Sequence, residues 1–208
     1  MADVIVNDSF SGEIEIDCLI IGGGAAGLTA ALAAAEDGAS TLVAERENQL
    51  SGSTALSSGL IPAAETKAQK RQLIDDNKRT FVEDIMNKNN SSADPSLVNL
   101  CVENITFALD WLEETHGIPF QVLDDFLYPS HTNFRMHAVP EVTGGALINY
   151  LEKAVSELDI YVSCDLQIIN LVKSSKGKIS GAIGQRPDGS IEKISSDHGR
   201  LDVLVNNA

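Results

Sequence analysis

Apolar and polar positions run in blocks along this chain, and the blocks change period at identifiable residues. Cys18-Leu-Ile-Ile is a short apolar run that passes through Gly22-Gly-Gly into the alanine-rich stretch Ala25 to Ala35. Short apolar runs bounded by glycine predict buried strands, and small unbranched residues in series predict a helix with a small-residue face. Ser40-Thr-Leu-Val-Ala predicts a second strand ending at Glu45, so residues 16–45 read as one βαβ unit. The residues before it, 1–13, are polar and read as a loose leader.

Residues 46–64 are rich in serine, threonine, glycine and alanine and predict a loop, long for a compact α/β domain. A helical insertion follows over 65–117. Its first helix is expected from Glu65 to Met86. The second starts with Asp94 as N-cap and Pro95 at the first helical position, places Leu97, Cys101, Ile105, Leu109 and Leu112 on one face, and stops near Gly117. Trp111 at the edge of that face reads as a core anchor. A short strand is expected around Phe120 to Leu123, then an irregular stretch over 124–142. Thr143 can cap a helix from Gly144, and Ile160-Tyr-Val predicts a strand. Leu166 to Val172, Ile179 to Ile183 and Ser190 to Ile194, separated by Lys176-Gly177 and Pro187-Asp188-Gly189, predict an antiparallel meander. Leu201 to Val205 adds one more strand. The class is therefore α/β, a parallel sheet with helices plus an antiparallel β-meander.

A hydrophobic fraction of 43% over 208 residues is enough for a sizeable core. Thirty acidic against 15 basic residues give a formal charge of −15, which argues against nucleic acid and anionic lipid as partners. The N-terminus lacks a basic, apolar secretory signal, and no stretch approaches a membrane span, so a cytoplasmic location is expected. Cys18, Cys101 and Cys164 are odd in number and each lies in an apolar element. They read as buried, reduced thiols, with neither a disulfide framework nor a metal site.

The βαβ unit carries the chemistry. Gly22 allows a tight strand-to-helix turn, Gly24 lets backbone approach a pyrophosphate, and Gly27 lets the helix lie against the strand. At that helix N-terminus Ala25 and Ala26 add free N–H groups at the positive end of the helix dipole. Glu45, beside Arg46, stands where an acid can accept hydrogen bonds from an adenosine ribose.

These motifs resemble the flavoprotein family of fumarate reductases, succinate dehydrogenase flavoproteins and 3-ketosteroid dehydrogenases, over nearly the whole chain from Glu15 onward. In that family the segment Asp17 to Leu28 with Glu45 corresponds to the site for the ADP half of FAD. Ser51-Gly-Ser-Thr-Ala-Leu-Ser-Ser-Gly is similar to the family's small-residue flavin loop, which implies that Gly52, Ser53, Thr54, Ser58 and Gly59 line the pyrophosphate and flavin. In the membrane-complex members a histidine of this loop is bonded to the flavin; Ser53 stands there, so the resemblance implies non-covalent FAD. Arg135-Met-His-Ala-Val-Pro-Glu-Val-Thr-Gly-Gly is similar to a third family segment, which makes Phe126, Tyr128, His131, Arg135 and His137 candidates for the substrate side.

The resemblance implies a Rossmann-like FAD-binding domain without the family's capping domain, and hydride transfer between flavin N5 and a C–C bond of a small-molecule substrate. The relatives' catalytic residues have no matching positions here, so an N-terminal part, inactive alone, is expected. Two other readings stay open. A non-catalytic flavin or nucleotide carrier would need only the cradle, and an NAD(P)-dependent reductase is suggested by Leu204-Val-Asn-Asn-Ala, although neither Tyr128 nor Tyr150 has a lysine four residues on.

Overall fold

The computed structural model describes residues 3–196 and 201–205; the Asn206-Asn-Ala end lies outside them. The chain forms two compact units, Met1–Leu56 with Ile148–Ala208, and Ser57–Leu147.

The first unit contains two sheets. β1 (Asp3–Val6), β2 (Ile14–Glu15), β3 (Cys18–Ile21), helix α1 (Ala25–Glu36), β4 (Thr41–Ala44) and the helical turn α2 (Gly52–Ala55) come from its N-terminal part. In the second unit lie β5 (Ile61–Pro62), α3 (Lys67–Arg71), α4 (Lys78–Lys88), α5 (Pro95–His116), β6 (Gln121–Val122), β7 (Met136–Ala138) and the start of α6 (Gly144–Ser156). The first unit then resumes with β8 (Ile160–Ser163), β9 (Gln167–Lys173), β10 (Ile179–Gln185), β11 (Ile191–Ser195) and β12 (Asp202–Val205).

Four strands in the order β12-β3-β4-β8 make an all-parallel sheet, and β9, β10 and β11 form the expected antiparallel meander. Leu19, Leu42 and Ala44 from the parallel sheet bury together with Leu166, Ile168, Ala182 and Ile194 from the meander region. The inner strand β4 is buried along its whole length, as a strand covered on both faces should be, whereas the edge strand β8 leaves Tyr161 and Val162 exposed. In α1, Gly27, Leu28, Ala31 and Leu32 are the buried face.

The leader is not loose. Val4-Ile5-Val6 forms β1, in parallel register with β9, although all four residues of the strand are exposed. The β-branched run Val4-Ile5-Val6 was the available signal; its pairing with β9 buries none of these side chains, because backbone pairing at a sheet edge needs no burial.

In the second unit the expected helix from Glu65 to Met86 is two helices. Thr66 and Gln69 form a reciprocal capping box at the start of α3, Leu73 turns with a positive φ of 58°, and Asn77 caps α4 by accepting from Thr80 N–H at 2.9 Å. Helix α5 begins and ends as expected: Asp94 accepts from Ser96 N–H, and Gly117 closes in the left-handed region at φ 67°. Its buried face differs. Val98, Val102, Leu109 and Leu112 are buried, whereas Leu97 is 60% exposed and Cys101 is also exposed. The first half of α5 carries apolar residues on several sides, and packing with Ala64 and Phe81 selects the Val98–Val102 side. Trp111 is half-buried and stacks edge-on with His116. Strand β7, within the stretch expected to be irregular, pairs antiparallel with both β5 and β6. Strands of two or three residues are too short to show a period.

Candidate nucleotide-binding cradle

Strand β3 ends at Ile21, and the chain turns at Gly22 with φ 108°, a region that side-chain-bearing residues rarely enter. The Gly22 N–H donates to Ala44 O at 2.9 Å, tying the turn to the neighbouring strand. A Cβ on Gly27 would sit 2.0 Å from Gly22 O, so only glycine lets α1 start this close to the turn. Gly24 is the N-cap of α1 and supplies no side-chain acceptor, and no acidic residue occupies the first turn. Ala25 N–H donates to the neutral Thr54 hydroxyl at 3.2 Å. The positive end of α1 is therefore free of any competing carboxylate in its first turn, which fits a pyrophosphate.

Glu45 closes the other side. It is buried, its Oε2 accepting from Gly23 N–H at 2.7 Å and its Oε1 from Glu47 N–H at 2.9 Å. Each carboxylate oxygen has a second lone pair, so the ribose role stays chemically available. A Cβ on Gly23 would lie 2.2 Å from Leu50 Cδ2 and 3.2 Å from Glu45 Oε2. Gly23 and Leu50 were not among the expected site residues; the tripled glycine was the available signal. Gly52 turns at φ 58°, and a Cβ there would contact Gly24 Cα at 3.4 Å, which brings α2 and Thr54 to the cradle. Ser53 and Arg46 are exposed, Arg46 pairing with Glu47 at 3.2 Å. Burial, then the Glu45 and Asp165 charges, pushes the Cys164 thiol up, which favours its protonated form.

Within the second unit the small-residue loop has its own structural demand. Gly59 is buried at φ 65°, and a Cβ on it would meet Gly144 and Thr143 backbone at 3.0 Å. Gly144 N–H donates to Ser57 O at 2.9 Å, and Thr143 Oγ1 accepts from Ala146 N–H at 3.2 Å to cap α6. Ser58 is exposed.

Two of the five substrate-side candidates belong to the scaffold. Arg135 is 1% exposed; its Nε and one terminal nitrogen donate to the two oxygens of Asp76 at 3.0 and 2.8 Å, and the other terminal nitrogen donates to Asp84 at 2.6 Å. Burial alone would raise the Asp84 pKa. Hydrogen bonds from Thr132 and Arg135 outweigh that and hold it below the usual carboxylate range. His137 is fully buried, with Nε2 at 2.7 Å from the Thr66 hydroxyl and Nδ1 at 2.9 Å from Arg135 O. Nothing in the Arg-x-His spacing distinguishes a buried staple from a ligand contact; the acids at 76 and 84 were the missing information.

Phe126, Tyr128 and His131 do come together. Phe126 packs edge-on against Tyr128, Tyr128 lies 5.1 Å from the His131 ring, and Lys88 Nζ sits 4.2 Å over the Tyr128 ring. His131 Nδ1 has no hydrogen-bond partner among the described residues. Burial, followed by the nearby Arg135 charge, lowers the His131 pKa and favours the neutral ring. All three cysteines are free, and the described residues include no cluster of three metal-ligating side chains. No helix among them is long and apolar enough to cross a membrane.

Parallel strands, a glycine turn into a helix and an acid closing the second strand define a nucleotide-binding α/β domain. The sequence matches the FAD binding domain family over residues 17–203, and the chain belongs to that family. It is 30% identical over 169 residues to a urocanate reductase of Eggerthella lenta, covering 80% of this chain and 28% of the relative. The fold matches the open conformation of a flavocytochrome c3 fumarate reductase with a TM-score of 0.83 at 24% identity, over 94% of this chain and 34% of that one. It also matches a 3-ketosteroid-Δ4-(5α)-dehydrogenase from Rhodococcus jostii with a TM-score of 0.79 at 22% identity, over 99% of this chain and 48% of that one. The chain thus spans under half the length of these proteins, and the Rossmann-like FAD-binding part is the portion they share with it.

Proposed function

We propose that this chain binds FAD without a covalent link and forms the flavin-holding part of an oxidoreductase acting on a C–C bond of a small molecule. The observation that carries the reading is the cradle itself, in which Gly22 and Gly27 bring backbone to van der Waals contact while Glu45 clamps Gly23 N–H at 2.7 Å. Backbone N–H groups of Gly24, Ala26 and Gly27 hold the pyrophosphate, Ala25 N–H joins them by exchanging its Thr54 acceptor for a phosphate oxygen, and Glu45 orients the ribose. Gly52, Ser53, Thr54, Ser58 and Gly59 are the loop residues that the family resemblance assigns to pyrophosphate and flavin. When bound, the flavin supplies hydride exchange through its N5. A serine at 53 offers no imidazole for a flavin bond, which supports a dissociable cofactor.

Phe126, Tyr128 and His131 remain the substrate-side candidates. A neutral imidazole beside two aromatic rings suits a planar unsaturated substrate, and the urocanate and fumarate in the relatives' names are the first compounds to test. Because the chain spans 28% of the urocanate reductase length, turnover is assigned to a longer protein carrying these residues, in the cytoplasm.

The test is reconstitution of the purified 208-residue chain with FAD. We expect flavin absorbance to co-purify, to pass into the supernatant on acid precipitation, and to be accompanied by no reduction of fumarate or urocanate. Yellow colour retained in the acid pellet overturns the non-covalent reading, turnover at enzymatic rates overturns the inactivity, and failure to take up FAD overturns the function.

A further inference from the structure

Residues 3–15 supply both outer strands of the five-stranded sheet of the first unit, β1-β9-β10-β11-β2, and cross its central three strands in between, pairing with β9 on one side and β11 on the other. On one side Asp3 to Val6 lie in register with Asn170 to Lys173, Asn7 N–H donates to Lys173 O at 3.0 Å, and Ser175 N–H donates to Asp8 at 2.8 Å. The segment then passes over the central strand β10 at Phe10. A Cβ on Gly181 would lie 2.3 Å from Phe10 Cε1, so the ring rests on bare backbone. On the far side Gly12 N–H donates to Ser195 Oγ at 2.9 Å, Glu13 N–H donates to Lys193 O at 3.0 Å, and β2 pairs in parallel with β11. Gly12 is as constrained as Gly181, since a Cβ on it would lie 2.6 Å from Lys193 O.

This belt is thinly held where it matters. Val4 is 52% and Val6 60% exposed, so little beyond backbone hydrogen bonds keeps β1 in place. What it covers is a hazardous edge. β9 reads Gln167-Ile-Ile-Asn-Leu-Val-Lys, with high strand propensity, no proline and one charge at its end.

We propose that residues 3–15 act as a latch, fastened by Phe10 on Gly181, that prevents the β9 edge from pairing with the β9 edge of a second copy of this chain. Two β9 strands related by a twofold axis pair antiparallel and complement themselves, so the partner that fits the opened edge is another copy. The formal charge of −15 opposes the approach of two copies, so the latch matters most where salt screens that repulsion.

The test uses the full chain carrying Phe10→Ser in screening salt. The amides of residues 4–7 should exchange roughly tenfold faster or more, as loss of one ring's packing implies. Light scattering should then show a concentration-dependent dimer. Adding Asn170→Lys to the same chain puts a charge on the exposed β9 edge; it should restore the monomer while exchange stays fast. Asn7→Pro removes the donor to Lys173 O without touching the Phe10 contact, and should give the same dimer if the Phe10 variant folds poorly. Unchanged exchange at residues 4–7, an opened belt that stays monomeric in both variants, or a dimer that Asn170→Lys does not disperse each overturns the proposal.

Discussion

The Thr66 hydroxyl and the His137 imidazole fix each other's protonation. Nδ1 of His137 faces the Arg135 carbonyl oxygen at 2.9 Å, and a carbonyl can only accept, so Nδ1 carries the proton. Nε2 is then the acceptor, and the Thr66 hydroxyl donates to it at 2.7 Å while its oxygen accepts Gln69 N–H at 3.0 Å. One buried threonine thus caps α3 and orients a ring on β7.

Thr66→Val should therefore remove two bonds at once. It leaves Nε2 buried and unpaired and strips the N-cap of α3, for a combined cost of about 2–4 kcal/mol. The urea midpoint should fall at unchanged slope, and Thr66→Ser should recover most of the loss.

Acid should destabilise the fold in two stages. Burial holds the His137 pKa below its ordinary value of 6.5, so its contribution is full above pH 6.5 and is lost as pH falls toward the lower folded value. Asp84 is likewise held below 3.8, so its contribution persists above pH 3.8 and disappears as pH falls through the folded pKa. Urea unfolding across this range should show both steps, and His137→Gln should abolish a large part of the first while sparing the second.

Arg135→Met should be among the most destabilising single changes. It leaves Asp76 and Asp84 buried without their cation, a situation that costs about 3–5 kcal/mol. The triple replacement with Asp76→Asn and Asp84→Asn should recover part of that loss, measured by thermal unfolding. Equal stability for the single and triple variants would show that the guanidinium matters through something other than its two acids.

Gly27→Ala should abolish FAD binding, because a methyl 2.0 Å from Gly22 O must push α1 off the turn. Flavin fluorescence titration reads the affinity, and far-UV circular dichroism checks that the chain still folds.

Glu45→Gln tests the clamp more gently. The amide oxygen can still accept Gly23 N–H, but one charge-assisted contact is lost, worth about 1.5–3 kcal/mol, or roughly tenfold to a hundredfold in FAD affinity. An unchanged affinity would separate Glu45 from the cofactor.

The cradle was legible because its constraints are local. Gly22, Gly24, Gly27 and Glu45 stand at spacings dictated by one turn and one strand, and Asp94-Pro95 and Gly117 mark the ends of α5 by cap chemistry alone. What escaped depends on partners distant in sequence. The choice of Val98 over Leu97 is made by Ala64 and Phe81, the burial of Arg135 by Asp76 and Asp84, and the pairing of β1 by the edge of β9. Gly23 lay in plain view, but its reason is Leu50 and Glu45, which no periodicity connects to it.

The parallel pairing of β3 with β12 sets Cys18 beside Asp202, so the strand that delivers the glycine turn is flanked by one that is synthesised long after it. Contacts of such sequence separation are slow to form, because the intervening loop must close before they contribute. A ribosome-bound chain exposing only the cradle and α1 has one neighbour of β3 missing. Stable capture of the cofactor then waits for β12, and chains stalled before that strand emerges should remain colourless even where flavin is abundant.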